Sequence, residues 1–222
     1  MRSKEAEKKK RAKIVLKILN KTYPKISVPL NSRNTFTLLI SVLLSAQCTD
    51  VNVNNVTKDI YPKYYEPKHF VKLGRRKIER LIRKIGIFRI KAKSIFNLSK
   101  ILVKKYKGHV PKTFEQLEEL PSVGHKTASV VMSQGFGFPA FPVDTHIHRL
   151  AQRWGLTNGK NVVQTEKDLK RLFPKKDWNK LHLQIIYYGR EYCKARDCYG
   201  ITCKICTTCY PQRKKPVKTL KA

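Results

Sequence analysis

Leu120-Pro121-Ser122-Val123-Gly124-His125-Lys126-Thr127-Ala128 places a turn, a helix start and a lysine side by side. Pro121 to Gly124 interrupt the chain, and Ala128, Val131 and Met132 then recur at helical spacing, so the segment reads as helix, tight turn and second helix. In such a helix-hairpin-helix the backbone N–H groups at the start of the second helix carry partial positive charge suited to a DNA phosphate. Gly124 lets the backbone approach that phosphate closely. Val123, Gly124 and His125 are therefore candidate DNA contacts, although a plain connection between packed helices has the same spacing. Lys126 falls in the first turn of the second helix, where the helix end disfavours a further positive charge, and an unprotonated amine there is a nucleophile. In a lysine-rich chain the plainer reading is a solvated charge.

A second candidate lies in Phe141-Pro142-Val143-Asp144-Thr145-His146-Ile147-His148-Arg149-Leu150. Asp144 follows an apolar, proline-containing entry and precedes a helix, which suits an N-cap accepting backbone N–H bonds. A carboxylate held this way is also placed to serve a reaction. His146 and His148 are two residues apart and point to different sides of a helix, so they read as packing or phosphate contacts rather than a two-histidine metal site.

Five of the six cysteines crowd into Cys193 to Cys209. With no export signal recognisable, that crowding reads as metal or cluster ligation rather than disulfides. Four close thiolates hold either a [4Fe-4S] cluster or a tetrahedral zinc, and Cys203-Lys204-Ile205-Cys206 fits both. Cys48, alone at the end of an apolar helix, reads as core.

Helical elements must position these groups. Ile14, Val15, Ile18 and Leu19 recur at helix spacing, as do Ile95, Leu98, Ile101 and Leu102, while alternating strand patterns are short and rare, so the expected fold class is all-α. Prolines and glycines cut the 222 residues into about ten helices, and 41% hydrophobic content supports a packed core. The 48 Lys+Arg against 15 Asp+Glu leave a formal charge of +33, a field that favours a polyanionic partner over a small neutral one. No run approaches the roughly 18 apolar residues of a membrane span. The basic N-terminus reads as a solvated arm or helix start rather than a targeting signal, and the Lys-rich tail from Pro211 to Ala222 as frayed.

The hairpin of Leu120 to Ala128, followed by Val143-Asp144-Thr145-His146 and then the cysteine cluster, resembles the endonuclease III family of DNA glycosylases along nearly the whole chain. Leu43-Leu44-Ser45-Ala46-Gln47-Cys48-Thr49-Asp50 is similar to that family's first core helix and the loop after it. The resemblance implies two helical domains with a DNA cleft between them, one from 28 to 138 and one formed by 1–27 with 139–222. It gives Lys126 the role of the lysine that attacks the sugar C1′ and forms a Schiff base, and Asp144 that of the carboxylate that activates it or stabilises charge on the sugar. Gln47, and Ile87 in Lys84-Ile85-Gly86-Ile87-Phe88, become candidates for filling the gap left by an extruded base, and His146 a further DNA contact.

The implied activity is excision of oxidised pyrimidines from duplex DNA with strand cleavage by β-elimination. Its rivals are a monofunctional mismatch glycosylase and a non-enzymatic DNA-binding module. The resemblance favours an iron–sulfur cluster over zinc, with Cys193, Cys203, Cys206 and Cys209 as ligands and Cys198 as the alternative to Cys209. It further implies a monomer without membrane attachment, acting on damaged or abasic duplex DNA. The expected location is the cytoplasm, on the nucleoid, of a bacterium, or the nucleus or an organelle of a eukaryote. Ser122 departs from the pattern, standing where the family usually has a glycine, and so do the cysteine spacings.

Overall fold

A computed structural model describes residues 2–222. The helices in chain order are α1 (Arg2–Thr22), α2 (Thr35–Leu44), α3 (Asp50–Thr57), α4 (Pro67–Leu81), α5 (Phe88–Tyr106), α6 (Phe114–Glu118), α7 (His125–Val130), α8 (Thr145–Arg153), α9 (Val162–Leu172), α10 (Trp178–Glu191) and α11 (Lys204–Cys209). A single π-helical turn, Val131–Gly135, continues α7. No strand occurs among the described residues, so the all-α expectation holds. The chain divides into two units, one of Val28–Phe138 and one of the described residues up to Ser27 with Pro139–Ala222.

In the Val28–Phe138 unit, α2 is apolar on every side, and that dictates its central place. A reciprocal cap starts it: the Asn34 side chain accepts from the Thr37 N–H, and Thr37 Oγ1 accepts from the Asn34 N–H. Residues Phe36 to Leu44 are then buried without interruption, against α3, α5, α7 and the π-helical turn. Gly135 is needed at that last contact, because a Cβ there would stand 2.8 Å from Thr35 Cγ2. Tyr61 is also core: its hydroxyl lies 2.7 Å from Ser41 Oγ and donates to the Thr37 carbonyl.

The far end of α2 is held by an unusual residue. Lys91, in the first turn of α5, is only 3% exposed. Its Nζ donates to the carbonyls of Leu44 at 2.9 Å and Ala46 at 2.7 Å, oxygens that the helix end leaves without partners. Burial pushes the Lys91 ammonium below the usual lysine range.

In the other unit, α1 lays Ala12, Val15 and Leu19 against a core that includes Ile147, Leu150, Trp154, Leu181, Ile185 and Tyr188. The buried Gln184 side chain donates to the carbonyls of Leu19 and Tyr23, closing the end of α1. The tail corrects the expectation of fraying. Leu220 and the Gln152 side chain exchange two hydrogen bonds, Val217 donates its N–H to the Tyr199 carbonyl, and the Arg213 guanidinium reaches the carbonyls of Arg153 and Gly200. Composition read the tail as polar; what docks it is backbone pairing and the seat of Val217 on Gly200.

Replacing Lys91 by Met keeps the length of the side chain but strands two buried carbonyls. The Lys91→Met variant is expected to lose about 1–3 kcal/mol of unfolding free energy in urea titration, and an unchanged midpoint would show that the ammonium does not hold this end of α2.

Candidate functional site

The hairpin is built within the Val28–Phe138 unit. Thr113 caps α6 by accepting the Gln116 N–H, and the turn closes with the Val123 N–H on the Leu120 carbonyl at 3.0 Å. Ser122 takes a left-handed conformation, φ 62°, which favours glycine. Its Oγ lies 2.7 Å from Ser94 Oγ on α5, a hydrogen bond that offsets the backbone cost and ties the turn to that helix.

Val123 is buried, so only its backbone is available to a ligand. Gly124 is the N-cap of α7 and, as a glycine, brings no side chain to the start of this helix. The His125 ring is drawn back toward α6, with Nδ1 2.7 Å from Glu118 Oε1 and the ring stacked on Phe114. Lys126 follows in the first turn, exposed, and takes part in none of the ion pairs among the described residues. The structure thus brings Val123, Gly124, His125 and Lys126 together on one helix start.

Gln47 and Ile87 come together as a second group in the same unit. Both are exposed and left-handed, with φ of 54° and 50°. A β-branched residue in that region costs roughly 1–2 kcal/mol, so Ile87 is held there by its surroundings. The Gly86 backbone runs against the Gln47 carbonyl, the Asn52 side chain donates to the Lys84 carbonyl at 3.1 Å, and Lys91 fixes the chain just before Gln47. Such strain concentrates where a side chain must be aimed.

In the other unit, Asp144 caps α8, its Oδ1 accepting the Ile147 N–H at 2.8 Å. The side chain is half-buried, with one oxygen committed to the cap. His146 lies one turn from Arg149, whose Nη2 is 3.3 Å from its Nδ1, while His148 is buried with Nδ1 2.8 Å from Thr165 Oγ1. The two histidines therefore diverge.

The other end of α8 meets the cysteines. Arg149 donates to the carbonyls of Gly189 and Cys193, and the buried Arg153 to those of Cys193, Lys194 and Ala195. Four thiols, Cys193, Cys198, Cys203 and Cys206, lie buried with their sulfurs all within 4.8 Å of one another. Cys198, not Cys209, completes the set. Cys203 caps α11 and Cys206 sits in its first turn, whereas Cys209 stands a full turn further along, beside Arg11 and Arg213. Burial pushes the Cys209 thiol up to about 11. Within the four, hydrogen bonding with Cys193 and Cys206 holds Cys203 well below the usual thiol range, and bonding with Cys193 and Cys203 pushes Cys206 far above it.

Four buried thiols cannot all ionise against one another without a cation, and a metal centre is the group that supplies one. The donor set therefore fits a metal cluster. Cys198→Ser is expected to lose most of the bound metal, measured by elemental analysis per chain, while Cys209→Ser retains it; the reverse pattern would return Cys209 to the ligand set.

The family model for HhH-GPD superfamily base excision DNA repair proteins matches residues 40–175, more than half of the chain. Endonuclease III of Bacillus subtilis (strain 168) is 40% identical over 199 residues, covering 89% of this chain and 91% of the Bacillus protein. Endonuclease III of Synechocystis sp. is 41% identical over 207 residues, covering 93% and 94%. A solved structure of a trapped endonuclease III–DNA covalent intermediate in an estranged-adenine complex superposes with a TM-score of 0.84 at 40% identity, over 89% of this chain and 93% of that one. With its hairpin, helix-capping aspartate and four close thiols laid out on that fold, the chain belongs to the endonuclease III family of the HhH-GPD superfamily.

Proposed function

We propose that this protein is a bifunctional DNA glycosylase and abasic-site lyase of base excision repair, acting on oxidised pyrimidines in duplex DNA. The observation that carries the reading is Lys126: an exposed amine that enters no ion pair among the described residues, on a helix start capped by Gly124, which brings no side chain to it. The N–H groups there suit a phosphate beside the lesion, and the amine next to them suits the sugar.

The chemistry follows from the groups. The lone pair of Lys126 Nζ attacks C1′ as the bond from C1′ to the base breaks, and the base leaves with those electrons and takes up a proton. The nitrogen gives up a proton, the C1′–O4′ bond breaks with its electrons on O4′, which takes up a proton, and the opened sugar is left as a protonated imine on Lys126. Loss of a C2′ proton then breaks the C3′–O3′ bond, cleaving the strand on the 3′ side, and water releases the enzyme. Asp144 supplies the negative charge that stabilises the cationic sugar, since its cap bond fixes the carboxylate without neutralising it. Gln47 and Ile87 fill the stack vacated by the extruded nucleotide, and His146 meets the backbone.

The thiol set of Cys193, Cys198, Cys203 and Cys206 holds a [4Fe-4S] cluster, which supplies structural bracing and no reaction step. Its protein-side effect passes through Arg149 and Arg153 to α8, and so to Asp144. We place the protein as a monomer on the nucleoid in a bacterial cytoplasm, or in the nucleus or an organelle of a eukaryote.

Two variants test the roles. Lys126→Gln is expected to lower strand cleavage at an abasic site by about 10³-fold or more while leaving affinity for a duplex with an uncleavable abasic analogue within a few-fold; retained cleavage would overturn the assignment. Asp144→Asn keeps an oxygen to accept the Ile147 N–H, so its melting temperature should stay near that of the parent while excision falls by about 10²- to 10⁴-fold. Parallel loss of stability and activity would reduce Asp144 to a helix cap.

A further inference from the structure

The four clustered thiols are held in different ways. Cys203 caps α11 and Cys206 lies in its first turn, while the buried Arg153 donates to the Cys193 carbonyl and lies 3.4 Å from the Cys193 sulfur. Cys198 depends instead on the turn that leads from it to Cys203. Within that turn the Ile201 N–H donates to the Cys198 carbonyl at 2.9 Å, and the Cys203 N–H reaches the Cys198 sulfur at 3.4 Å. Tyr199 and Thr202 are exposed, and Tyr199 and Gly200 are both left-handed, with φ of 48° and 83°. Left-handed backbone is unfavourable for a residue with a Cβ, so contacts from outside the turn must keep Tyr199 there.

The tail supplies those contacts. The Val217 N–H donates to the Tyr199 carbonyl at 2.8 Å, and Arg213 Nη1 donates to the Gly200 carbonyl at 3.1 Å and to the Arg153 carbonyl at 2.6 Å. The Val217 side chain rests on Gly200, where a Cβ would stand 2.9 Å from Val217 Cγ2, and Gly200 is buried although Tyr199 beside it is exposed. The segment is anchored on both sides of the turn. Before it, the Arg213 guanidinium lies 3.5 Å over the Tyr210 ring just past α11; beyond it, Leu220 exchanges two hydrogen bonds with Gln152 of α8. Most tail side chains are exposed, so this segment can open locally while the helices stay folded. We infer that residues 211–222 are a strap that locks Cys198 into the four-thiol set: releasing the strap frees that one thiol, and loosens a metal held by the set, while Cys193, Cys203 and Cys206 stay in place. The consequence for metal retention rests on the reading of the set as a metal centre; the shielding of Cys198 does not.

The test labels the native full-length chain with iodoacetamide for increasing times and maps each cysteine by mass spectrometry. Val217→Asp puts a charge into the seat on Gly200, Val217→Ala only empties that seat, and Lys215→Ser removes one charge from an exposed tail position as the control. Val217→Asp should speed labelling of Cys198 about tenfold, and Val217→Ala by a smaller factor, with Cys193 and Cys206 within about twofold of the parent. Loss of metal to a chelator should accelerate in the same order, and Lys215→Ser should match the parent in both assays. An unchanged Cys198 rate, equal rises at all the clustered thiols in both Val217 variants, or a rise matched by Lys215→Ser would each overturn the inference. Metal per chain in the parent, by elemental analysis, reports separately on the metal centre. A parent without metal that still shows selective release of Cys198 removes the metal reading and keeps the strap; a parent with metal and no selective release removes the strap alone.

Discussion

A buried cation needs hydrogen-bond acceptors, and in a chain with 15 acidic against 48 basic residues Lys91 and Arg153 find theirs chiefly in backbone carbonyls. Both units depend on this constraint. Lys91 joins the start of α5 to the end of α2 through the carbonyls of Leu44 and Ala46, so the Gln47 turn and the Ile87 turn cannot move independently. Arg153 does the same for the cysteine loop, gathering the carbonyls of Cys193, Lys194 and Ala195 onto α8. Removing either cation leaves several orphaned acceptors in a buried place, which costs more than losing one contact.

The functional groups then take their character from what they are attached to. Lys126 is exposed on the hairpin, but the hairpin is tied to α5 by the bond between Ser94 and Ser122. Asp144 starts α8 and Arg149 and Arg153 follow on the same helix, so a nine-residue element links the carboxylate to the four thiols. A metal centre held by those thiols would bear on Asp144 through that helix. Gln47, Ile87 and Ser122 hold left-handed backbone, a local strain that their surroundings maintain.

Much of this was legible in the residues. The breakers around Pro121 and Gly124 define the hairpin, the apolar run through Phe36 to Leu44 can only be a core helix, and Asp144 before an apolar periodic stretch behaves as an N-cap. The fourth thiol was not readable, because five cysteines at short spacing leave the choice to loop geometry, and only the start of α11 decides between Cys198 and Cys209. Lys91 was hidden among many solvated lysines, since nothing local signals that two carbonyls from α2 await it. The tail failed for a similar reason: its composition is that of a frayed end, and its partners Gln152 and Tyr199 lie far away in sequence. Ser122 stood out as a departure, but the compensating hydroxyl comes from α5 and carries no motif.

The central claim is that one lysine among many is the nucleophile. Reducing the protein with borohydride while it turns over an abasic duplex, then mapping the modified peptide by mass spectrometry, tests that claim most directly. The reduced deoxyribose should sit on the Nζ of Lys126 alone. An adduct on any other amine, or no adduct while the strand is cut, would contradict the account.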